Sequence, residues 1–317
     1  MIRTGMGGHF YYCSELSLAA GEEAFGTASG GEVWMLVEYP LAWGTKALEM
    51  SALPRVVKAH LSGLLKAIPR SRLLLIKQQS RARKSSFSFF VVRTTEGAPS
   101  VARFELTQYE QLLRFDSATV SAAAAVPGAD LPAGPLFLVC THGRRDKCCA
   151  KFGYPLFKSL RRHAGASVWQ SSHVGGDRFA ANLVCFPHGL FYARVTEEAG
   201  RRIVGEYEGG RVVLENYRGR ACYPYAVQAA EFFVRRESGL SGVDDLRLRG
   251  MTREGERARR VRFETADGAA LHEARITWGD SSFRNFITCQ AGEERTVTQY
   301  ALEDYRVERA ASPLAQA

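Results

Sequence analysis

Between Leu136 and Arg194 the chain twice runs a strand-length apolar segment straight into a polar loop carrying metal-ligand side chains. In the first pass, Leu136 to Val139 delivers Cys140 into a charged, Gly-containing loop that closes on Cys148 and Cys149, where a helical pattern begins. In the second, Ser167 to Gln170 leads to His173 in the loop His-Val-Gly-Gly-Asp, closing on Asp177. Soft and borderline donors brought together from separate strand ends are how a fold collects ligands for a metal. The spacings, Cys-x8-Cys for Cys140 and Cys149 and His-x3-Asp for His173 and Asp177, read as a metal or iron–sulfur site.

The remaining composition removes other classes. Hydrophobic residues make up 46% and charged residues 24% of the 317, the balance of a globular chain. The net charge of +9 favours acidic partners, but the basic residues are dispersed. The most basic short run, Lys77 to Lys84, lacks interleaved aromatics, so a solvated loop accounts for it better than nucleic-acid binding. Seven scattered cysteines form no disulfide framework, and the N-terminus lacks a signal-peptide pattern. No apolar run is long enough to span a membrane. A cytoplasmic setting is expected, where clustered cysteines act as ligands or redox groups.

Strand patterns are expected at Trp34–Tyr39, Arg72–Ile76, Phe87–Arg93 and Ala102–Leu106, with a short early helix around Ser14–Glu23 and another helix starting at Pro54. The Ala/Pro/Gly-rich stretch 117–135 reads as a linker. It separates an N-terminal α/β domain (1–130) from a second α/β domain (131–245). The second is expected to hold a strand at 136–140, a helix from about 150 to 164 and a strand at 167–171. Strands at Ala181–Phe186 and Gly189–Val195, a hairpin at Glu206–Gly210 and a helix over Pro224–Arg236 complete it. A β-rich extension (246–317) follows, with strands at Ala258–Glu264, Glu273–Trp278 and Arg295–Leu302 and a loose tail from Val307. The first half repeats the strand–helix–strand–strand order without the cysteines.

Cys149 falls at a helix start, where unpaired N–H groups and the helix dipole favour a thiolate, and Arg144, Arg145 and Lys147 add positive charge. Cys148 competes for the same role, since adjacent side chains at a helix start diverge by about 100°. His142 and Cys185 are reserve ligands. No phosphate-binding glycine loop is present.

The motifs Cys140-Thr-His-Gly-Arg-Arg-Asp-Lys-Cys-Cys149, Ser172-His-Val-Gly-Gly-Asp-Arg-Phe-Ala-Ala-Asn182 and Tyr217-Arg-Gly-Arg220, in that order, resemble the sucrase/ferredoxin-like family. The resemblance implies a thioredoxin-like ferredoxin fold for the second domain and a degenerate, siteless counterpart in the first. It also implies a [2Fe-2S] cluster held by two Cys and two His. Cys140 and Cys149 match the cysteines and His173 the first histidine, while Asp177 stands where the family pattern has the second. A carboxylate there returns negative charge to the site and lowers the expected potential. Phe179, Trp169 and Phe186 would shield the cluster, and the basic loop would meet an acidic redox partner protein. The reading is therefore an electron carrier or redox sensor rather than an enzyme with its own substrate. Two alternatives are a thiol-dependent oxidoreductase using Cys148 or Cys149, and a structural zinc site on the same residues. The paired carboxylates of a glycosidase are not identifiable.

Overall fold

The computed structural model describes residues 11–78, 85–122, 129–130 and 134–309. Most of the basic run Lys77–Lys84, part of the linker and the last eight residues lie outside the described residues. The fold is α/β, built on one mixed nine-stranded sheet and a separate four-stranded antiparallel sheet.

A short helix α1 (Cys13–Ala19) precedes β1 (Val33–Glu38), α2 (Arg55–Ala67), β2 (Ser71–Lys77), β3 (Phe87–Arg93) and β4 (Ser100–Leu106). The run Trp-Met-Leu-Val makes β1 apolar on both faces, and every residue of it is buried. Val57, Leu61 and Leu64 recur along one side of α2 and turn that side inward. A 3₁₀ segment (Tyr109–Arg114) and α3 (Ser117–Ser121) close this half. The second half runs β5 (Leu136–Cys140), α4 (Lys147–Ala164), β6 (Val168–Ser171), β7 (Leu183–Phe186), β8 (Leu190–Tyr192), α5 (Glu197–Glu208), β9 (Tyr217–Arg220) and α6 (Tyr225–Ser238). An antiparallel meander follows: β10 (Leu246–Arg253), β11 (Ala258–Thr265), β12 (Ala270–Asp280) and β13 (Thr298–Arg309).

The strand order β4-β3-β1-β2-β6-β5-β7-β8-β9 contains a repeat. In the first half β1 pairs parallel with β2 and antiparallel with β3, and β3 pairs antiparallel with β4. In the second half β5 pairs parallel with β6 and antiparallel with β7, and β7 pairs antiparallel with β8. The two units thus share one connectivity and meet edge to edge where β2 pairs antiparallel with β6, Ile76 opposite Ser171. Ser172 tightens this seam: its N–H donates to Leu75 O at 2.8 Å and its hydroxyl accepts from Leu75 N at 3.0 Å.

One apolar core belongs to the first unit and one to the second, while a third spans both, packing Trp34, Leu36 and Phe90 with Leu138, Trp169 and Phe186. Each such fully buried side chain contributes about 1.5–3 kcal/mol of burial free energy. The C-terminal meander is covered by α6 through Val227, Ala230, Phe233 and Val234.

The structure corrects the sequence reading in four places, the first being that α3 (Ser117–Ser121) opens the stretch expected as linker. The expected hairpin at Glu206–Gly210 is the end of α5, and β8 stops at Tyr192. Thr196 caps α5 by accepting from Ala199 N at 3.1 Å, Glu197 and Glu198 complement its N-terminus, and Ile203, Val204 and Tyr207 are buried. Strand β10 is an addition to the expected strands, since three arginines, a glycine and five exposed positions in eight residues leave no apolar run to signal it. Of the expected tail from Val307, the three described residues belong to β13, which pairs with β12 as far as Arg309, and the remainder lies outside the described residues.

Helix α4 comes unusually close to β5. A Cβ on Gly153 would lie 2.0 Å from the Cys140 carbonyl oxygen, whereas one on Gly63 of α2 would meet nothing within 4 Å. Gly153→Ala is therefore expected to destabilise the protein by about 3 kcal/mol or more in denaturant unfolding. Gly63→Ala is expected to stabilise it by up to about 1 kcal/mol.

Candidate metal centre

Because β5 and β6 run parallel with Cys140 beside Ser171, the loops that follow them leave the sheet at the same end. The first loop turns through residues 141–146 and enters α4. The second carries His173 and closes on a 3₁₀ turn, Asp177–Phe179. Cys149 and Gly153 lie one helical turn apart, so the close approach at Gly153 holds Cys149 beside the end of β5.

The donor atoms of Cys140, Cys149 and His173 all lie within 4.8 Å of one another. Cys149 Sγ is 3.9 Å from His173 Nδ1 and 3.6 Å from Asp177 Oδ1, and His173 Nδ1 is 3.1 Å from Asp177 Oδ1. Asp177 thus touches two of the three donors without joining the set that closes fully. Both cysteines are buried, Asp177 is nearly so, and His173 stands at the rim with its side chain 22% exposed. Beside His173 an open cleft is lined by Thr45, Leu48, Ser62, His142 and Arg145.

The loop is held from beneath. Gly175 and Gly176 have φ of 95° and 82°, and a Cβ on Gly176 would collide with the guanidinium of Arg218. Arg218, fully buried on β9, donates to Gly175 O (3.0 Å), Asn182 Oδ1 (2.8 Å) and Thr27 Oγ1 (3.1 Å). Asn182 in turn donates to Gly176 O at 2.8 Å. Arg218 and Asn182 were visible in the motifs, but nothing local in the sequence assigned them this clamping role. Burial pulls the Arg218 guanidinium down to about 9.

The titrating groups divide their protons unequally. Cys149 donates to Cys140, and together with His173 this holds the Cys140 thiol well below its ordinary range despite burial. The same contact and burial push Cys149 well above it. Burial opposes protonation of His173, but contact with Cys140 and the charge of Asp177 raise it overall. Burial pushes Asp177 up to about 6, against the pull of His173.

Of the other candidate ligands, none joins this set. His142 uses both ring nitrogens elsewhere: Nε2 donates to Gly44 O at 2.7 Å, and Nδ1 accepts from His173 N at 3.2 Å. That arrangement needs the neutral ring, and burial lowers its affinity for a proton accordingly. Cys185 lies in the core cluster with Phe137 and Val139, whereas Cys140 lies in the cluster with Leu136 and Leu138, on the opposite face of the sheet. Cys148 turns away into a second group of donors with Cys13, Asp146 and Cys289. Trp169 and Phe186 share the core cluster of Cys140 and Cys149, and Phe179 is buried under the guanidinium groups of Arg178, Arg194 and Arg218.

This gathering of motif residues agrees with comparison to known families, in which residues 24–219 match the sucrase/ferredoxin-like family. The chain belongs to the sucrase/ferredoxin-like family. Two curated yeast proteins, both called Altered inheritance of mitochondria protein 32, are similar over a shorter stretch. The protein from Debaryomyces hansenii is 38% identical over 95 residues, 26% of this chain and 35% of its own length. The one from Meyerozyma guilliermondii is 32% identical over 95 residues, 26% of this chain and 34% of its own. The match thus spans about a third of these relatives. No solved structure gives a significant match. Both loops that bring these donors together, and Arg218 beneath them, fall within the matched residues, and two groups of donors in the fold are close enough to hold metal. No helix among the described residues is long and apolar enough to cross a membrane.

Because the Asp177 carboxyl is raised above its unfolded value, this group binds more protons in the folded metal-free chain than in the unfolded chain between about pH 4 and 6. Its contribution is present at the acid end and lost as pH rises through the folded value. Asp177→Asn removes that contribution. Unfolding titrations of metal-free protein should show the slope of stability against pH in this window more positive for the variant than for the unaltered chain, by at most about 1.4 kcal/mol per pH unit.

Proposed function

We infer that Cys140, Cys149 and His173, with Asp177 as fourth donor, hold a [2Fe-2S] cluster, and that the protein carries electrons or senses redox state. The observation that carries this reading is the convergence of two buried thiols and a rim imidazole, supplied by the two loops that bear the family motifs. The donor set fits the group: thiolate and imidazole both bind iron, and Arg218 and Asn182 hold the His173 loop in place before any metal arrives. When bound, the cluster supplies a one-electron couple. The chain's own residues set its surroundings. Trp169 and Phe186 exclude water from the cysteine side, and His173 offers the more exposed route for an electron. His142 fixes the backbone of His173. Exposed Arg144, Arg145 and Lys147 border the site and suit an acidic redox partner. A reducing compartment such as the cytoplasm is consistent with seven unbridged cysteines.

Attack by a thiolate of Cys148 or Cys149 on a substrate disulfide has less support, because both side chains are wholly buried. Structural zinc on the Cys140 set remains the reading that metal analysis discriminates.

Anaerobically purified protein is expected to be coloured, with about two irons and two sulfides per chain and a paramagnetic signal on one-electron reduction. Cys140→Ser, Cys149→Ser and His173→Ala should each lose most of the iron while far-ultraviolet circular dichroism is retained. A colourless wild-type chain without iron or sulfide, after anaerobic reconstitution, overturns the cluster. Asp177→His replaces an anionic donor by a neutral one and should raise the reduction potential measured by redox titration.

A further inference from the structure

The second donor group joins three stretches of chain that are remote in sequence. Cys13 opens α1, Asp146 and Cys148 form the cap and first turn of α4, and Cys289 lies in the segment between β12 and β13. Cys13 and Cys289 both fall outside residues 24–219, so the family match does not account for them. All four residues are buried, and none of the cysteines is bridged.

Their geometry is that of a closed single-ion site. The sulfurs form a near-regular triangle: Cys13 to Cys148 3.6 Å, Cys13 to Cys289 3.6 Å and Cys148 to Cys289 3.2 Å. The Asp146 oxygens lie 3.8 and 3.9 Å from Cys13 Sγ. Tetrahedral zinc with ordinary bond lengths needs sulfurs about 3.8 Å apart and sulfur–oxygen separations of about 3.5 Å. Asp146 is already oriented, since its oxygens accept from Cys148 N at 2.9 Å and Cys289 N at 2.7 Å, which still leaves lone pairs for a metal. A disulfide would use two of three nearly equivalent sulfurs and leave the third buried beside the carboxylate. A dication uses all four groups and offsets half of the charge of three thiolates and a carboxylate in a dry site.

We propose that Cys13, Cys148, Cys289 and Asp146 bind one structural zinc-class ion, which staples the N-terminal lead and the C-terminal extension to the start of α4. The site is separate from the Cys140 set. Cys148 and Cys149 are adjacent, but their side chains leave the helix start in different directions. Binding releases the thiol protons to solvent and forms three metal–sulfur bonds without change of oxidation state. The neighbouring contacts suit a staple. Tyr11 donates to Ala291 O at 2.8 Å and stacks on Phe286 at 4.4 Å, and Gln290 donates to Arg145 O at 3.1 Å.

The test is elemental analysis and native mass spectrometry of the full chain, unaltered and as Cys140→Ser. The expected result is about one zinc per chain in both, so that loss or absence of iron at the first site does not affect the readout. Cys13→Ser and Cys289→Ser should lower zinc at least tenfold while leaving iron and sulfide at the wild-type level. Should those variants fail to fold, the unaltered chain still decides. Cobalt exchanged into it should give the absorption of a tetrahedral thiolate site, and chelation should expose Cys13, Cys148 and Cys289 to alkylation together. A wild-type chain that holds no divalent ion after reconstitution, zinc unaffected by Cys13→Ser and Cys289→Ser, or a Cys148–Cys289 disulfide in the native protein would each overturn the proposal.

Discussion

The carboxylate of Asp146 fixes the geometry on which both donor groups depend. It is fully buried, caps α4 through Cys148 N, and accepts Cys289 N from the far end of the chain. A cap of this kind sets where the first helical turn begins and therefore the direction of each side chain on it. With that phase fixed, Cys148 and Cys149 diverge by about 100° and fall into different groups of donors. One turn on, Gly153 lets the helix settle against the Cys140 carbonyl, so the phase is converted into a short Cys140–Cys149 approach. Burial raises the Asp146 carboxyl, and the two amide hydrogen bonds are what favour its ionised form there.

The two units share a connectivity, but the loop after β1 lacks the thiols that follow β5. In the first unit the segment after β1 runs Tyr-Pro-Leu-Ala-Trp-Gly and contains no thiol. It serves instead as a wall for its neighbour. Trp43 packs edge-on against the His142 ring at 5.7 Å, with the Lys77 ammonium 4.3 Å from the Trp43 ring centroid. Gly44 O receives the His142 proton, and His142 then receives the His173 amide. The first unit thus orients His173 through a two-bond relay. Its β2 edge contributes further by holding Ser172, the residue before His173.

Behind the site, buried ionic groups tie β9 to α6. Glu231 lies 3.1 Å from Arg235 and 3.5 Å from Arg220, and accepts from Tyr217 at 2.9 Å, all with almost no exposure. Groups in such a network hold one another in register, because breaking it leaves an uncompensated charge at a cost of about 3–5 kcal/mol. Arg218, on the same short strand, points the other way and clamps the His173 loop. The Tyr-Arg-Gly-Arg motif therefore divides between two tasks, one arginine for the domain's interior and one for the His173 loop.

What was legible in the sequence follows from the range of the interactions. Strands β3 and β5 have the limits read from their apolar runs, since a continuous buried strand writes its own pattern. The grouping of Cys140, Cys149 and His173 was legible because each stands where a strand run or helix pattern meets a loop. Helix α5 was missed although Thr196-Glu-Glu-Ala is a local start signal, because the apolar residues before it were extended as strand past Tyr192. The Cys13–Cys148–Cys289 group left no local trace at all. Its members are separated by 135 and 141 positions, and each single cysteine looks like a small buried hydrophobe. Only the return of the segment between β12 and β13 to the start of α4 brings them together, and that return is fixed by tertiary contacts such as Tyr11 on Phe286 rather than by any spacing a reader of the sequence could measure.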